Sequence, residues 1–517
     1  MTDDERRAIV ENAKYLREVR PIDPDEIYEY VESQPHPAVV RQTLREEAVA
    51  LGLREREDGT FVPISEEPVT ARPGTVEAFP QAYAERVEDL LVEEYGHDWP
   101  KGESGDRLRE TIRRLKDAYY RQHPVEYDRE AALGYALYHL PDYYAVVQYA
   151  LADLSERGLV DRRLRVLDVG AGVGGPALGL HDLLADEALI EYHAVEPSAA
   201  ADVLDELLAE TSRNFHPTIH RERAEAFDPD SVLDAQFASG DDGADDADSA
   251  AGADGSAGPG FDLIIFANVL SELDDPVSVA RRYLGALAPE GSMVALAPAD
   301  RNTSTGLREI ERALADESAG DGADAQDAGD AADRPPATVF SPTVRLWPGE
   351  APTDRGWSFD VRPDLEVPEF QRRLDDAGAS DPDHEHGEFV NVDVQFSHSI
   401  LRTDGLRKYA LDPEPDRYAK MAEMERHVSE RIDLLALKLS RSLSEGDANP
   451  LYKISDGSEA TEHYAVLTRE TSLNRELAAA DYGDLLSIES ALALWNDDEE
   501  AYNLVVDDET IVDKLVA

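Results

Sequence analysis

One run of residues limits what this chain can fold into more than any other. In Leu164-Arg-Val-Leu-Asp168-Val-Gly170-Ala-Gly172-Val-Gly174-Gly175, an apolar, β-branched stretch ends in a cluster of glycines. An apolar pattern with helical spacing follows at Ala177, Leu178, Leu180, Leu183 and Leu184. The order is strand, tight turn, helix N-terminus. Glycine at such a turn permits positive φ and close approach of a ligand to the backbone, and the helix end favours negative charge or lone pairs. The expectation is a nucleotide-like ligand beyond the strand end.

Spacing alone does not choose the ligand. Gly170, Gly172 and Gly175 also fit G-x-G-x-x-G, which admits NAD. The flanks favour S-adenosylmethionine. Asp168 ends the first strand, where a carboxylate suits a cationic amino-acid group and would repel a pyrophosphate. Ile190 to Val195 reads as the second strand and ends at Glu196. An acid there accepts hydrogen bonds from the ribose hydroxyls of any nucleoside. The expected cofactor contacts are Asp168, Gly170, Gly172, Gly174, Glu196 and Asn268.

Phe261 to Leu273 reads as a buried strand running into a loop, a helix starts at Pro276, and Glu290 to Ala297 is the next strand. Val392 to Leu401 alternates and is expected to close the sheet. Repeated strand–helix units predict an α/β, doubly wound, Rossmann-like sheet with ligands beyond the strand C-termini. This domain is expected over 161–405. It is interrupted at 238–260 and 316–336 by segments of Asp, Gly, Ala and Ser that lack large apolar side chains and should be disordered.

Other modules flank it. Residues 1–66 resemble a winged helix: short helices, then a strand, the Asp58-Gly59 turn and a strand. Arg41 and Arg45 there could meet nucleic acid, but Glu46 and Glu47 favour protein docking. Residues 67–160 are expected to be helical, with a local charge excess at Arg107, Arg109, Arg113, Arg114, Lys116 and Arg121 that suits either phosphate or acidic neighbours. Tyrosines between Tyr119 and Tyr149 are expected to be mainly core. A long helix is expected within 406–446, from Pro415 to Ser442. A β-rich, OB-like domain is expected over 447–517.

Composition sets the outer limits. The 517 residues carry 110 acidic and 50 basic side chains, a formal charge of −60. Only 8 of the basic residues are lysine. Such a surface suits molar salt, where screening falls to about 3 Å, so the charge says little about partners. With no cysteine, disulfides, thiolate metal sites and a thiol nucleophile are excluded. That also removes methylation of a cytosine ring carbon through a thiol adduct. No apolar signal core and no long apolar run is present, so a cytoplasmic protein with no membrane partner is expected. DNA is not an expected partner, and no metal is expected. His384 and His386, flanked by Asp383 and Glu385, read as an exposed acidic loop.

Several segments together resemble a known family. They are Tyr135-Ala-Leu-Tyr-His-Leu-Pro141-Asp-Tyr-Tyr-Ala-Val-Val147, Leu167 to Gly174, Val195-Glu-Pro-Ser198, Val269-Leu-Ser-Glu-Leu273 and Val394-Gln-Phe-Ser-His-Ser-Ile-Leu401. The chain resembles the small-ribosomal-subunit rRNA methyltransferase family, of the mitochondrial methyltransferase-like seventeen type, in a form suited to high salt. The resemblance implies the small ribosomal subunit and its rRNA as partners, with either methyl transfer or a non-catalytic role in assembly; a small-molecule methyltransferase is a third reading. It places Asn268 to Glu272 near the reacting methyl, where Asn268 or Glu272 could orient an acceptor; a structural hydrogen bond and a helix cap are their plainer roles. Family members carry cysteines before the late strand, implying a metal cluster. Here Ser341-Pro342 and Asp354 to Phe359 stand in their place. The motif used for exocyclic base amines is also absent, since Ala267-Asn-Val-Leu occupies its position.

Overall fold

The computed structural model describes residues 1–69, 74–121, 123, 125–184, 187–233, 260–316, 337–379, 381–382 and 384–516. All but the end residues Gly260 and Asp316 of the two expected inserts lie outside these described residues, and so does Asp383. The chain divides into two compact units. One is Met1–Ile265 with Pro363–Asp393, and the other is Phe266–Arg362 with Val394–Ala517.

The first unit opens with helices Asp3–Leu16, Pro24–Ile27, Pro37–Glu46 and Ala48–Leu51, then the antiparallel pair β1 (Leu53–Glu55) and β2 (Phe61–Pro63). The helical run from Pro37 is broken at Glu47, and Gly52 closes the second piece in a left-handed conformation. Ile9, Ile27, Val40, Leu44, Leu53 and Phe61 form the core of this small module. The arginines suspected of nucleic-acid contact lie beside acidic partners, one buried and one exposed. Arg45 pairs with the buried Glu55 at 2.6 Å, and Arg41 lies 3.9 Å from Asp25.

Helices Gln81–Tyr95, Gly102–Tyr120 and Arg129–Glu156 come next. Then β3 (Arg163–Val169), β4 (Leu189–Val195) and β5 (Phe215–His220) alternate with helices Gly175–Leu184 and Ala200–Leu208. β3 pairs parallel with β4, and β4 with β5. β6 (Phe261–Ala267) neighbours β3 on its other side, giving the order β5-β4-β3-β6. The chain direction across the sheet therefore reverses between β3 and β6, and the crevice beyond the C-terminal end of β3 is where such sheets bind ligands.

In the second unit, β7 (Leu287–Pro298), β8 (Thr338–Ser341), β9 (Asp360–Arg362) and β10 (Val394–Arg402) are antiparallel, with β10 paired to the other three. The strand expected at Val392 to Leu401 is therefore not an edge: β10 lies between β7 and β8.

The expected helix over Pro415 to Ser442 is absent. A 3-10 segment covers Met421–His427, and Arg431–Lys438 is a strand, β11. It is buried on both faces: Ile432, Leu434 and Ala436 enter one core while Leu435 and Leu437 enter another. A strand of that kind is a continuous apolar run, which periodicity cannot tell from a buried helix. With β12 (Leu451–Ser455), β13 (His463–Leu467), β14 (Leu485–Asn496), β15 (Ala501–Val506) and β16 (Ile511–Leu515), it makes the order β11-β12-β13-β15-β14-β16, and β11 also pairs with β14. Five strands thus close into a barrel-like sheet, loosely OB-like, which starts at β11 rather than after residue 446.

Beside the barrel lies a buried ionic cluster. Asp354 meets Lys453 at 2.8 Å and Arg312 at 2.6 Å. Burial works against the Asp354 carboxylate, yet the two cations hold it below the ordinary carboxylate range. Glu459 is pushed up to about 8 by burial and by Asp456 and Asp354.

Candidate functional site

The glycine turn sits at the end of β3. Gly170, Gly172 and Gly174 have φ of 71°, 55° and 95°, values at which an L side chain is strained. They differ in what surrounds them. A Cβ on Gly174 would stand 2.5 Å from Leu204 Cδ1, whereas one on Gly172 would meet nothing closer than Gly170 O at 4.0 Å. Gly174 is therefore a packing glycine. Gly172 leaves open a space that a ligand can fill.

Asp168 is wholly buried. Its Oδ2 accepts from the Tyr192 hydroxyl, and its Oδ1 has no partner among the described residues. Burial pushes the carboxyl up to about 7; the Tyr192 bond opposes the rise and Glu196 adds to it. A buried oxygen without a donor costs about 1–3 kcal/mol, so this one is prepared for a donor that the described residues do not supply. The ammonium of a bound amino acid fits that need.

Glu196 has a role the sequence did not disclose. Its Oε2 accepts from Gly172 N at 3.0 Å and its Oε1 from Ser198 N at 2.8 Å. The carboxylate ties the turn to the end of β4. A carboxylate offers about four lone-pair sites, so two remain for a ribose diol.

Asn268 and Glu272 lie in the second unit. Asn268 follows β6 with φ 61°, and its N–H donates to Leu296 O at 3.0 Å. It is buried, yet neither Oδ1 nor Nδ2 has a partner among the described residues. A strained backbone carrying an unanswered buried amide is a signature of functional sites. Glu272 differs: it is exposed and closes the short turn Leu270–Glu272.

Sequence reasoning missed a polar brace behind the turn. Pro141 lies inside Arg129–Glu156 and cannot donate to Leu137 O. Gln371 Nε2 supplies that bond at 2.8 Å. Asn391 Nδ2 donates to Tyr138 O at 3.1 Å and to Asp142 Oδ2 at 2.9 Å. The same helix packs on the turn's helix at glycines: a Cβ on Gly179 would stand 2.3 Å from Tyr144 O, and one on Gly175 2.9 Å from Tyr143 Cβ. A proline in a helical pattern was the available signal; its partners, more than two hundred residues away, left none.

Most of the basic helix face is occupied from within, while Arg114 is exposed. Arg107 pairs with Glu130, Arg109 with Asp106, and Arg113 with Glu388 and Asp381. Lys116 Nζ bonds Glu388 O and lies over the Tyr138 ring. His384 is not part of an exposed loop: it is buried between Asp375 and Glu388 and stacks on Phe389, because Glu388 is drawn in by Arg113. His386 is exposed and contacts Asp375.

Comparison with known families decides the nature of the glycine turn. Residues 167–293 match the methyltransferase domain family. The chain therefore carries a methyltransferase domain. Its cofactor is S-adenosylmethionine, and Asp168, Gly172 and Glu196 fit it as described. Residues 6–57 and 422–515 match the N- and C-terminal domains of a family described as a domain of unknown function, DUF8157. No curated protein matches the chain. Among solved structures, it is similar to the YcgJ protein of Bacillus (17% identity, 26% of this chain and 45% of that one, TM-score 0.18). It is similar to an S-adenosylmethionine-dependent methyltransferase of Clostridium acetobutylicum (14%, 30% and 50%, 0.21). A third is mitomycin 7-O-methyltransferase MmcR (15%, 57% and 76%, 0.21). The chain spans about half the length of the first two. No helix among the described residues is long and apolar enough to cross a membrane.

Proposed function

We propose that this chain transfers a methyl group from S-adenosylmethionine to small-subunit rRNA. The observation that carries the methyl-transfer reading is Asp168: a buried carboxylate oxygen without a donor among the described residues, beside a turn whose Gly172 leaves open space. When bound, the cofactor supplies an electrophilic methyl on sulfur. Asp168 would hold its ammonium, the free lone pairs of Glu196 its ribose, and the Gly170 to Gly172 backbone would let it lie close. Asn268 is the group suited to orient an acceptor, since its amide both donates and accepts; Glu272 would act from the loop edge. In-line placement is worth far more than any single contact in such a transfer.

The rRNA acceptor is supported by the family resemblance and by the barrel. Its strand order, with β13 and β15 parallel, is that of OB-like barrels, which bind oligonucleotides. A second reading, an assembly factor that binds cofactor without catalysis, is favoured by Ala267-Asn-Val-Leu standing where a base-amine motif would be. Mapping rRNA methylation in a deletion strain separates the two. Loss of one small-subunit mark is expected. An unchanged map with retained co-sedimentation on small subunits would replace the enzyme by the scaffold.

A further inference from the structure

The amino-acid end of the cofactor is a zwitterion, and Asp168 answers only its positive half. Within the first unit, one imidazole stands ready for the other half. His139, Tyr135 and Tyr143 lie at i, i+4 spacing on one face of Arg129–Glu156. The His139 ring is 4.9 Å from Tyr135 and 5.5 Å from Tyr143, nearly parallel to the latter at 20°. Tyr127 meets the edge of the same ladder at Tyr135, 5.8 Å away. Both ends of the ladder are fastened to the cofactor loops. Tyr143 Cβ abuts the backbone of Gly175, and Tyr127 O accepts from Ala199 N at 3.2 Å, three residues past Glu196.

Behind the ring stands a buried acid. Asp142 Oδ2 is 3.5 Å from His139 Nδ1, and burial raises the Asp142 carboxyl against the bonds it accepts. Asn391 Nδ2 lies 3.3 Å from the same Nδ1, but its two hydrogens go to Tyr138 O and Asp142 Oδ2. Nδ1 thus faces the buried Asp142 Oδ2, which turns Nε2 to the opposite edge of the ring. The imidazole keeps 25% of its side-chain surface exposed while Asp142 keeps 11%.

We propose that His139, held through Nδ1 by Asp142 and flanked by Tyr135 and Tyr143, donates from Nε2 to the carboxylate of the cofactor's amino-acid end. This rests on the cofactor reading above. His139 and Asp168 would then grip the two charges of one zwitterion, and the Pro141 brace would exist to hold the first of them.

Two probes that differ only in the amino-acid end test this: S-adenosylhomocysteine carries it, and methylthioadenosine lacks it. Binding of each to the full chain is measured by calorimetry in molar KCl, for the wild type, His139→Gln and His139→Phe. The phenyl ring keeps the stack and removes the donor, and circular dichroism melting verifies each fold. The expected result for S-adenosylhomocysteine is a loss of about tenfold or more in His139→Phe and a smaller loss in His139→Gln, whose amide still donates, with a change within about twofold for methylthioadenosine in both. Equal losses for both probes, or none for either, would overturn the assignment of His139 while leaving the cofactor site standing. A wild type that binds neither probe would remove the cofactor reading and this inference with it.

Discussion

In the second unit the buried Asp354 carboxylate has Lys453 on one oxygen and Arg312 on the other. In the first unit the buried Asp168 carboxylate has Tyr192 on one oxygen and no partner among the described residues on the other. Both groups lost their water on folding. One was given two cations in return and sits below the ordinary carboxylate range; the other was given a hydroxyl and rises to about 7. The difference separates two uses of buried charge. Asp354 ties a helix, through Arg312, to a barrel strand, through Lys453. Asp168 holds an interaction in reserve, and the rest of the fold must bear its cost until a ligand arrives.

The largest expected effect tests the answered side. Lys453→Met leaves Asp354 with one cation near Glu459 and Glu462, and should lower stability by about 3–5 kcal/mol in chemical denaturation. A loss under about 1 kcal/mol would show that the cluster is not holding the barrel. Asp168 should behave in the opposite way. Its folded-state pKa lies above the unfolded value of about 4, so between about pH 4 and about pH 7 the folded chain holds a proton that the unfolded chain has released. Stability without cofactor should therefore fall as pH rises through that window, by up to about 1.4 kcal/mol per pH unit. Asp168→Asn should flatten this slope and weaken S-adenosylmethionine binding by at least about tenfold; an unchanged slope would refute the picture of a carboxylate held in reserve.

Asn268 extends the comparison to a neutral group. Asn268→Gly relieves a left-handed backbone and removes an unanswered amide. It should raise the melting temperature, on a gain of about 0.5–1 kcal/mol, while methyl transfer falls. Stability and activity moving down together would make Asn268 structural. The smallest effect belongs to a half-exposed pair. Arg113's hydrogen bond pulls Glu388 down to about 2, against burial and with help from His384. Stability from this pair is present above the ordinary glutamate range and is lost as pH falls through about 2. Arg113→Gln should cost under about 1 kcal/mol at neutral pH, read from the same denaturation curves.

What could be seen in the residues beforehand was what is local. The turn from Asp168 to Gly175 and the acid at Glu196 are short patterns whose chemistry follows from neighbours in the chain. The Asp58-Gly59 hairpin is another. β11 was hidden because both of its faces are buried, which erases the alternation that marks a strand. The brace of Gln371 and Asn391 was hidden for another reason: an amide side chain carries no sign of the distant carbonyl it will reach. The double duty of Glu196 falls between these cases, since its position was readable and its bond to Gly172 N was not. Arg45 and Arg113 looked like free positive charge because their acidic partners are set by tertiary packing.

The first unit is not one stretch of chain. Residues 1–265 are joined in it by 363–393, and that second piece brings Gln371 to the carbonyl freed by Pro141 and Asn391 to Asp142. On a ribosome, ninety-seven residues of the other unit, 266–362, emerge before that piece does. The wall beside the cofactor turn must wait, with one carbonyl bare, for the later segment to be made. The order of synthesis thus delays a finished cofactor site until most of the chain exists, and a fragment ending near residue 265 would carry every glycine of the motif without the support that shapes it.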